Sequence, residues 1–307
     1  MHSKTKYDIS AAQVSAIFAT AGLGEATRIT PIADGWYNNV LAVTAGGERY
    51  VLKVAPPPEV EVLTHERELM RQELRFYALL RERTAVRTPR VVWEDLTRQL
   101  IPCDYFIMEF LPGKRLDKAK LTKEEKTKAD EAILNILAQF HSIVGEGFGY
   151  EQMTLEPNWH LGLRKMVQAL VDDCAHFGKR CPLGEKLLGY IDRHRALLES
   201  VSTVLVNFDL HPMNIFHHDG GLTVFDLERC FWGDRLGDNV LRGYTAPKSF
   251  TKEEKIRFYL TEAYLAVIMY TEKYARYRPW NIIWWMDVIG TLGLGIISFP
   301  ALRRLSR

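Results

Sequence analysis

The sequence predicts an α+β fold in two lobes, a small N-terminal lobe built on an antiparallel sheet and a larger, mainly helical C-terminal lobe. Three observations support this prediction. A chain of 307 residues is long enough to form two cores. Strand-like alternation runs through residues 28–54, whereas helical spacing dominates after residue 122. We place the boundary at the Leu111-Pro112-Gly113 turn, which gives lobes of residues 1–111 and 112–307.

The N-terminal lobe begins with a predicted helix and a hairpin. Apolar residues recur at helical spacing over residues 10–21, and two glycines follow. Alternation then predicts a strand before Gly35 and a hairpin whose strands read "NNVLAVT" and "ERYVLKV". Ala45-Gly46-Gly47 lies between the two strands and is typical of a tight hairpin turn.

One helix and two strands complete the predicted N-terminal lobe. Pro56-Pro57-Pro58 ends the hairpin, and strong helix formers with apolar residues at helical intervals predict a helix over residues 60–83. Strand patterns follow at residues 89–92 and 105–109. The predicted order is therefore strand, strand, strand, helix, strand, strand.

The C-terminal lobe is predicted to be helical over residues 122–144, 160–175 and 184–200, and from residue 252 to the end. Its strand signals flank the segment "VNFDLHPMNIF". Residues 280–299 are apolar enough to raise the question of a membrane span. Asn281 and Asp287 interrupt them, and glycines would weaken a spanning helix, so we predict a buried helix pair.

Composition narrows the class of partner. Lys and Arg total 40 against 38 acidic residues, and a formal charge of +2 gives no field that favours nucleic acid. A small-molecule partner is the better expectation. The N-terminus "MHSKTKYD" lacks the apolar core of a secretion signal, which favours a cytoplasmic protein. The four cysteines form no C-x-x-C pair and predict neither a disulfide framework nor a zinc site.

The segment "VNFDLHPMNIF" places Asp, His and Asn among apolar residues. One interpretation is a strand and a Pro-containing turn whose polar residues cap backbone groups, and the other is a catalytic loop. Asn214 and Asp226 are equidistant from Gly220, so a hairpin centred there would bring their Cβ atoms to about 5 Å. Such an oxygen-only pair suits Mg²⁺. Asp209 lies close by and could take a proton from a hydroxyl.

The texts "FDLHPMN", "VFDLE" and "GDRLGDN" together resemble the aminoglycoside phosphotransferase family, which has a protein-kinase-like fold. The resemblance spans roughly residues 9–239. The family's loop usually begins His-Gly-Asp, whereas this chain has Asn207-Phe208-Asp209. Asp234 and Asp238 match the family's second acidic pair, and we interpret Asp234 as the residue that holds the loop.

The resemblance implies transfer of the γ-phosphate of ATP, or of GTP, to a hydroxyl. Asp209 would orient and deprotonate that hydroxyl, while Asn214 and Asp226 would bind Mg²⁺. Lys53 in "YVLKV" would bind the phosphates, although an edge-strand lysine that discourages aggregation is the alternative. Glu73, just before "LRFYALL", is the expected partner of Lys53 in preference to Glu66.

The resemblance also implies a nucleotide pocket. Gly35 and Asn38 of "ADGWYNNV" would belong to the loop that covers the nucleotide. In "YFIMEFLPG", backbone groups of Glu109 and Leu111 would bind the adenine edge. Met108 would either line the purine site or pack in the core, and both interpretations stay open. His141 is expected to be structural.

The acceptor is the least determined part of the prediction, because the family covers antibiotics, amino alcohols, amino acids and sugars. Residues 262–287 combine carboxylates with aromatic residues and would suit an amine-bearing acceptor through charge pairing and cation–π contacts, although most of these aromatics should be core residues. The residues are Glu262, Glu272 and Asp287, with Tyr264, Tyr270, Tyr274, Tyr277, Trp280, Trp284 and Trp285.

An aminoglycoside-type antibiotic is the leading example of such an acceptor, with choline-like, amino-acid or sugar acceptors as alternatives. The sequence does not separate antibiotic resistance from metabolism. Asn207 and Phe208 also raise a different hypothesis, a nucleotide-binding regulator without turnover.

Overall fold

The computed structural model describes residues 5–32, 37–218, 221–239 and 248–276, and it has the predicted α+β architecture. An antiparallel sheet forms the N-terminal part and helices dominate the C-terminal part. The predicted boundary between residues 111 and 112 stays a prediction.

The N-terminal elements follow the predicted order. They are α1 (Ala11–Thr20), β1 (Ala26–Pro31), β2 (Asn39–Ala45), β3 (Glu48–Val54), α2 (Leu69–Arg83), β4 (Val91–Asp95) and β5 (Tyr105–Glu109). All described pairings in this sheet are antiparallel, in the order β1-β2-β3-β5-β4. Ser10 caps α1 by accepting from the backbone N–H of Gln13, and Val14, Ile17 and Phe18 pack this helix against the sheet. Helix α1 thereby covers one face of the sheet and forms a core with residues of β2, β3 and β5.

The predicted helix over residues 60–83 begins nine residues later than expected, at Leu69. The preceding residues 60–68, called the strap below, contain only a short 3₁₀ helix over Thr64–Glu66. Glu68 has a left-handed φ of 56°, which cannot continue an α-helix. Thr64 donates from both N and Oγ1 to the carboxylate of Asp173, so tertiary contacts hold the strap in place of helical ones.

Within the described residues, the C-terminal part contains eight α-helices and strands that the sequence predicted in outline, and two very short strands that it did not. The elements are β6 (Lys114–Arg115), α3 (Lys123–His141), α4 (Trp159–His176), α5 (Pro182–Arg193), α6 (Arg195–Glu199), β7 (Val204–Val206), β8 (Ile215–His218), β9 (Gly221–Val224), β10 (Phe231–Gly233) and α7 (Lys252–Arg276). The predicted helix over residues 184–200 is divided at His194 into α5 and α6. The strands β6 and β10 were missed because two or three residues are too few for a periodic pattern.

The hairpin of β8 and β9 has a register one residue away from the predicted one. His218 pairs with Gly221 and Ile215 pairs with Val224, so the register is centred between positions 219 and 220 and not on Gly220. Asn214 therefore lies opposite Phe225, whose N–H donates to the Asn214 carbonyl at 3.1 Å. Asp226 is the next residue along, and its left-handed φ of 64° turns the chain there.

One hydrophobic core joins the two parts of the chain. Apolar residues of α2 and β5 pack in the same cluster as residues of α3, β7, β8 and β9. The members with the least exposure include Phe76, Leu80, Phe106, Phe140, Leu205, Ile215 and Val224. The interior face of α2 is therefore shared between the N-terminal sheet and the C-terminal part.

None of the helices in the described ranges is long and apolar enough to cross a membrane. The predicted buried helix pair at residues 280–299 lies outside the described residues.

Candidate active site

Strand β3 brings Lys53 into contact with two carboxylates. Lys53 is only 6% exposed because β3 lies between β2 and β5 in the sheet. Its Nζ is 2.7 Å from Glu73 Oε2 on α2 and 2.7 Å from Asp226 Oδ1. Lys53 thus pairs with Glu73 as the sequence suggested, whereas Glu66 is bound by Arg276.

A fourth residue, which the sequence analysis missed, closes this arrangement into a ring. The Tyr77 hydroxyl donates to Glu73 Oε1 at 3.0 Å and accepts from the Asp226 backbone N–H at 3.0 Å. Lys53, Glu73, Tyr77 and Asp226 are therefore linked by a continuous cycle of contacts, which we call the Lys53 ring. The available signal was the spacing of four residues between Glu73 and Tyr77, which places both on one face of a helix.

Burial and charge act against each other in the Lys53 ring. Burial lowers the pKa of Lys53, but the charges of Asp226 and Glu73 outweigh it and raise this pKa well above its ordinary value. Burial raises the pKa of Glu73, although Lys53 opposes the effect. Lys53 therefore stays protonated and can attract an anion such as a phosphate.

Glu228 is a further acidic residue next to the Lys53 ring. Burial, followed by the charge of Asp226, raises its pKa to about 8. Its Oε2 lies 3.5 Å from Lys53 Nζ and accepts a hydrogen bond of 2.8 Å from Asn38 Nδ2. Carboxylate oxygens of Glu73, Asp226 and Glu228 lie within 4.8 Å of one another. Oxygen donors suit Mg²⁺, but Lys53 Nζ already lies within 3.5 Å of all three carboxylates, so Asp226, whose side chain is the most exposed of the three, is the one that a cation from solvent can reach.

A second cluster, of one His and two Glu, has no comparably exposed carboxylate for a cation. Ligand atoms of His65, Glu66 and Glu272 also lie within 4.8 Å of one another. Both carboxylates of this cluster are already paired with arginines, Glu66 with Arg276 and Glu272 with Arg276 and Arg229. The positive charges already present oppose the entry of a metal ion.

The loop of residues 207–214, called the Asp209 loop, positions Asp209 through its neighbours. Asn214 Nδ2 donates to Asp209 Oδ2 at 3.0 Å. His211 Nδ1 accepts from the Met213 N–H at 3.2 Å, which assigns the ring proton to Nε2, 3.4 Å from Asp209 Oδ1. The Asp209 side chain remains 19% exposed, and that of Asp226 31% exposed. Both carboxylates are therefore accessible from solvent.

Asp238, outside the Asp209 loop, and Asn207, inside it, support the backbone of this loop. Asp238 Oδ1 accepts from the Phe208 N–H at 2.8 Å, and Asp238 Oδ2 lies 2.8 Å from His141 Nε2. Asn207 Oδ1 accepts from the Asp209 N–H at 3.0 Å. His141 is structural, as expected.

The interpretation of Asp234 as the residue that holds this loop was wrong, because its contacts are made elsewhere. Asp234 accepts from the backbone N–H of Leu236 at 3.1 Å and from Arg257 Nη1 at 2.9 Å. The contact with the Asp209 loop is made by the second member of the acidic pair, Asp238.

Charged side chains, mostly buried, connect Asp209 to the strap through successive ion pairs. Arg229 Nε is 4.0 Å from Asp209 Oδ2, and Arg229 Nη2 donates to Glu272 Oε1 at 2.6 Å. Burial raises the pKa of Glu272, but Arg229 and Arg276 outweigh this effect and hold the pKa below its ordinary value. Arg276 also pairs with Glu66 of the strap. Helix α7 thus connects the strap to the surroundings of Asp209.

The expected nucleotide-pocket residues lie in different environments. Met108 is buried and belongs to the shared core, and Glu109 donates its N–H to the Arg90 carbonyl at 3.0 Å. Leu111 is half-buried and follows the end of β5. Asn38 is buried and bonded to Glu228, so it is near the Lys53 ring. Gly35 lies outside the described residues.

The expected acceptor residues are engaged within the protein wherever the structure describes them. Glu272 is paired with two arginines, and Tyr264 is fully buried with its hydroxyl 3.4 Å from that of Tyr150. Tyr270 and Tyr274 flank Lys273. Glu262 is buried on α7. The remaining five, Tyr277, Trp280, Trp284, Trp285 and Asp287, lie outside the described residues.

A model of the phosphotransferase enzyme family matches residues 28–280 of the chain. This range contains the Lys53 ring and the Asp209 loop. No curated protein matches the chain in sequence.

Solved structures match nearly the whole chain. The aminoglycoside phosphotransferase APH(4)-Ia gives a TM-score of 0.64 at 13% identity, covering 96% of this chain and 99% of that one. APH(2'')-IIa, in a complex with streptomycin and ATP, gives a TM-score of 0.56 at 17% identity, covering 96% of each.

A protein of Haemophilus somnus 129PT, provisionally assigned as a fructosamine-3-kinase, gives a TM-score of 0.57 at 13% identity, covering 95% of each chain. At such identities the similarity concerns the fold. The chain has the kinase-like fold of these proteins, as its sequence predicted.

Proposed function

Because this chain belongs to the phosphotransferase enzyme family, we propose that it transfers the γ-phosphoryl group of ATP, or of GTP, to a hydroxyl of a small molecule. One observation carries the proposal. A buried, protonated lysine is held by Glu73 and Asp226, while the accessible carboxylate of Asp209 is held by Asn214. A cation for phosphates and a proton acceptor for a hydroxyl are the two groups that this reaction needs.

Each residue of the site would have a separate role. Lys53, held by Glu73, would bind phosphate oxygens of the nucleotide. Asp209 would accept the hydroxyl proton and orient the oxygen for in-line attack. Asn214 donates through Nδ2 to Asp209, so its amide oxygen would be the atom that binds a metal ion together with Asp226. Magnesium, when bound, would neutralise charge on the phosphates.

The nucleotide base would lie against the end of β5. Backbone groups of Glu109 and Leu111 would bind the adenine edge, and the Met108 side chain would contact the adenine ring from the side of the hydrophobic core. Gly35 and Asn38 would belong to the covering loop. The hydrogen bond from Asn38 to Glu228 supports this assignment, because Glu228 also lies 3.5 Å from Lys53.

For the acceptor we propose an amine-bearing hydroxyl compound, with aminoglycoside-type antibiotics first. What supports this choice is the fold, which similar proteins use in complexes with gentamicin, streptomycin and hygromycin B. The pairing of Glu272 with two arginines leaves that carboxylate less suited to an amine than the sequence suggested. Choline-like, amino-acid and sugar acceptors are therefore the alternatives to be tested alongside.

The test is a coupled ADP- or GDP-release screen of the full chain with Mg²⁺. Its panel contains aminoglycosides, other hydroxylated antibiotics, amino alcohols, amino acids and neutral sugars. On the best acceptor, Asp209→Asn should lower turnover about 10²- to 10⁴-fold and leave nucleotide binding nearly unchanged, because it removes only the base. The matched control is Asp130→Asn. It makes the same carboxylate-to-amide change at an exposed residue of α3 and should leave turnover unchanged.

The outcomes separate the alternatives. Unchanged turnover in Asp209→Asn would contradict the role of Asp209. Turnover confined to neutral sugars would exclude the amine-bearing acceptor and keep the phosphotransferase. Nucleotide binding with no product on any acceptor would support a regulator without turnover.

A further inference from the structure

We propose that Tyr77 is a positioning residue that makes nucleotide binding responsive to magnesium, because its hydroxyl ties Glu73 to the backbone of Asp226. This inference rests on the proposed function, in which Asp226 holds the metal ion. Tyr77 itself would touch neither nucleotide nor metal.

The geometry leaves the Tyr77 hydroxyl little freedom. The side chain is 1% exposed, and its ring packs edge-on against Phe106 with the centroids 6.3 Å apart. Phe106 is in turn the β5 partner of Lys53 in the sheet register. The aromatic ring of Tyr77 is therefore held against β5, next to the position of Lys53. Its hydroxyl oxygen lies 3.0 Å from Glu73 Oε1 and 3.0 Å from the Asp226 backbone N.

The bond to Asp226 acts on a backbone that is under strain. Asp226 is a non-glycine residue at a φ of 64°, a left-handed conformation that is unfavourable for an L-amino acid and persists where its surroundings enforce it. The Tyr77 oxygen accepts the N–H of this residue and so opposes relaxation of the turn. With the turn held, Asp226 Oδ1 points at Lys53 Nζ.

The same hydroxyl couples this turn to helix α2. Glu73 and Tyr77 lie one helical turn apart, so any displacement of α2 would move the partner of Lys53 and the support of Asp226 together. Without the hydroxyl, Glu73 could still bind Lys53 through Oε2, but the Asp226 turn would lose its contact with α2. The expected defect therefore concerns the metal-binding residue more than the phosphate-binding one.

The experiment compares dissociation constants of ATP with and without Mg²⁺, by calorimetry, in the wild-type chain and in Tyr77→Phe. We expect the factor by which Mg²⁺ strengthens ATP binding to fall about tenfold in Tyr77→Phe, with metal-free affinity changed less than about threefold. Phe keeps the packing of the ring and removes only the oxygen. Because both constants are measured on the same folded molecules, their ratio does not depend on the yield of the variant.

The matched control is Tyr105→Phe. Tyr105 is another buried tyrosine of the N-terminal part, and its hydroxyl donates to Asp95 Oδ2 at 3.0 Å, outside the Lys53 ring. Loss of the Tyr105 hydroxyl should leave the factor by which Mg²⁺ strengthens ATP binding unchanged.

An equal factor in Tyr77→Phe and wild type would overturn the inference about Tyr77 alone. Equal weakening with and without Mg²⁺ would also overturn it, as a purely structural effect. A wild-type chain that binds no nucleotide at all would overturn the proposed function and this inference with it.

Discussion

Phe208 occupies a backbone position that glycine fills more easily. Its φ is 61°, and a left-handed non-glycine residue costs about 1 to 3 kcal/mol. Its ring, however, packs 5.2 Å from Phe231 and 5.8 Å from Tyr264, measured between centroids. Burial of a phenylalanine contributes about 1.5 to 3 kcal/mol, which offsets the strain. The packing of the Phe208 ring therefore stabilises the Asp209 loop in a backbone conformation that glycine would adopt without strain.

Asn207 lies where the family's loop usually has His, and the hydrogen bond from the Asp209 N–H to its Oδ1, called the amide brace below, leads to a prediction. Asn207→Ala should lower turnover at least tenfold, because the Asp209 N–H would lose its acceptor at 3.0 Å inside a buried site. Asn207→His should keep turnover within about tenfold of wild type, about 1.4 kcal/mol in barrier. Steady-state kinetics with ATP titrations would measure both.

Asn135→Ala is the control for this pair, since Asn135 is an exposed residue of α3. It should leave turnover unchanged. Activity that appeared only in Asn207→His would contradict the amide brace and favour a chain that binds nucleotide without turnover.

The limits of sequence reasoning are visible in the individual elements. The starts of α1 and α3 could be predicted because their capping residues, Ser10 and Thr122, lie next to them in sequence. The strap was predicted as helix because its partners, Asp173 and Arg276, are more than a hundred positions away. The spacing of apolar residues carries no information about such distant contacts. Tertiary contacts can therefore override the helix propensity of a segment.

The site residues also differ in whether the local sequence reveals them. Asp209, Asn214 and Asp226 could be found because they share one short segment whose residue types match a known loop. Tyr77 is 149 positions from its partner Asp226, and Asp238 is 30 from Phe208. The register error at Asn214 had a different origin, since a shift of one residue in a hairpin leaves the sequence pattern almost equally plausible.

The buried ion pair that holds the strap leads to a prediction about stability. Glu66 and Arg276 form a pair whose side chains are 1% and 7% exposed. Arg276→Met should lower the free energy of unfolding by about 3 to 5 kcal/mol, because it leaves the Glu66 carboxylate buried without this partner. Urea denaturation would measure the loss.

Two further variants test whether the unpaired charge is the cause. Arg276→Met combined with Glu66→Gln should recover at least about 1 kcal/mol, since the amide keeps an acceptor but carries no charge. Lys128→Met breaks a pair with Glu124 on α3 whose lysine is 71% exposed, and should change stability by less than about 1 kcal/mol. Equal losses in Arg276→Met and Lys128→Met would show that the strap is held by other contacts.

The site depends on how the two parts of the chain share α2. One face of this helix presents Glu73 and Tyr77 to the Lys53 ring. Its apolar residues belong to the core cluster that also contains residues of α3 and β7. The position of Glu73 relative to Asp226 is therefore set by packing between the N-terminal sheet and the C-terminal helices, and not by the sheet alone.

A fragment of residues 1–111 tests this dependence. It would contain the residues of the sheet and of α2, but Met70, Phe76 and Leu80 would lose the C-terminal members of their core cluster, which include Ile136 and Phe140. Exposed apolar surface costs about 25 cal/mol per Å², so we predict that the fragment lacks a cooperative urea transition and a dispersed amide spectrum, whereas the full chain shows both. A fragment that unfolds cooperatively would show that the sheet and α2 are stable without the C-terminal helices. In that case residues 1–111 would be an independent folding unit, and the core cluster that α2 shares with the C-terminal part would serve to align the site without being needed for the fold.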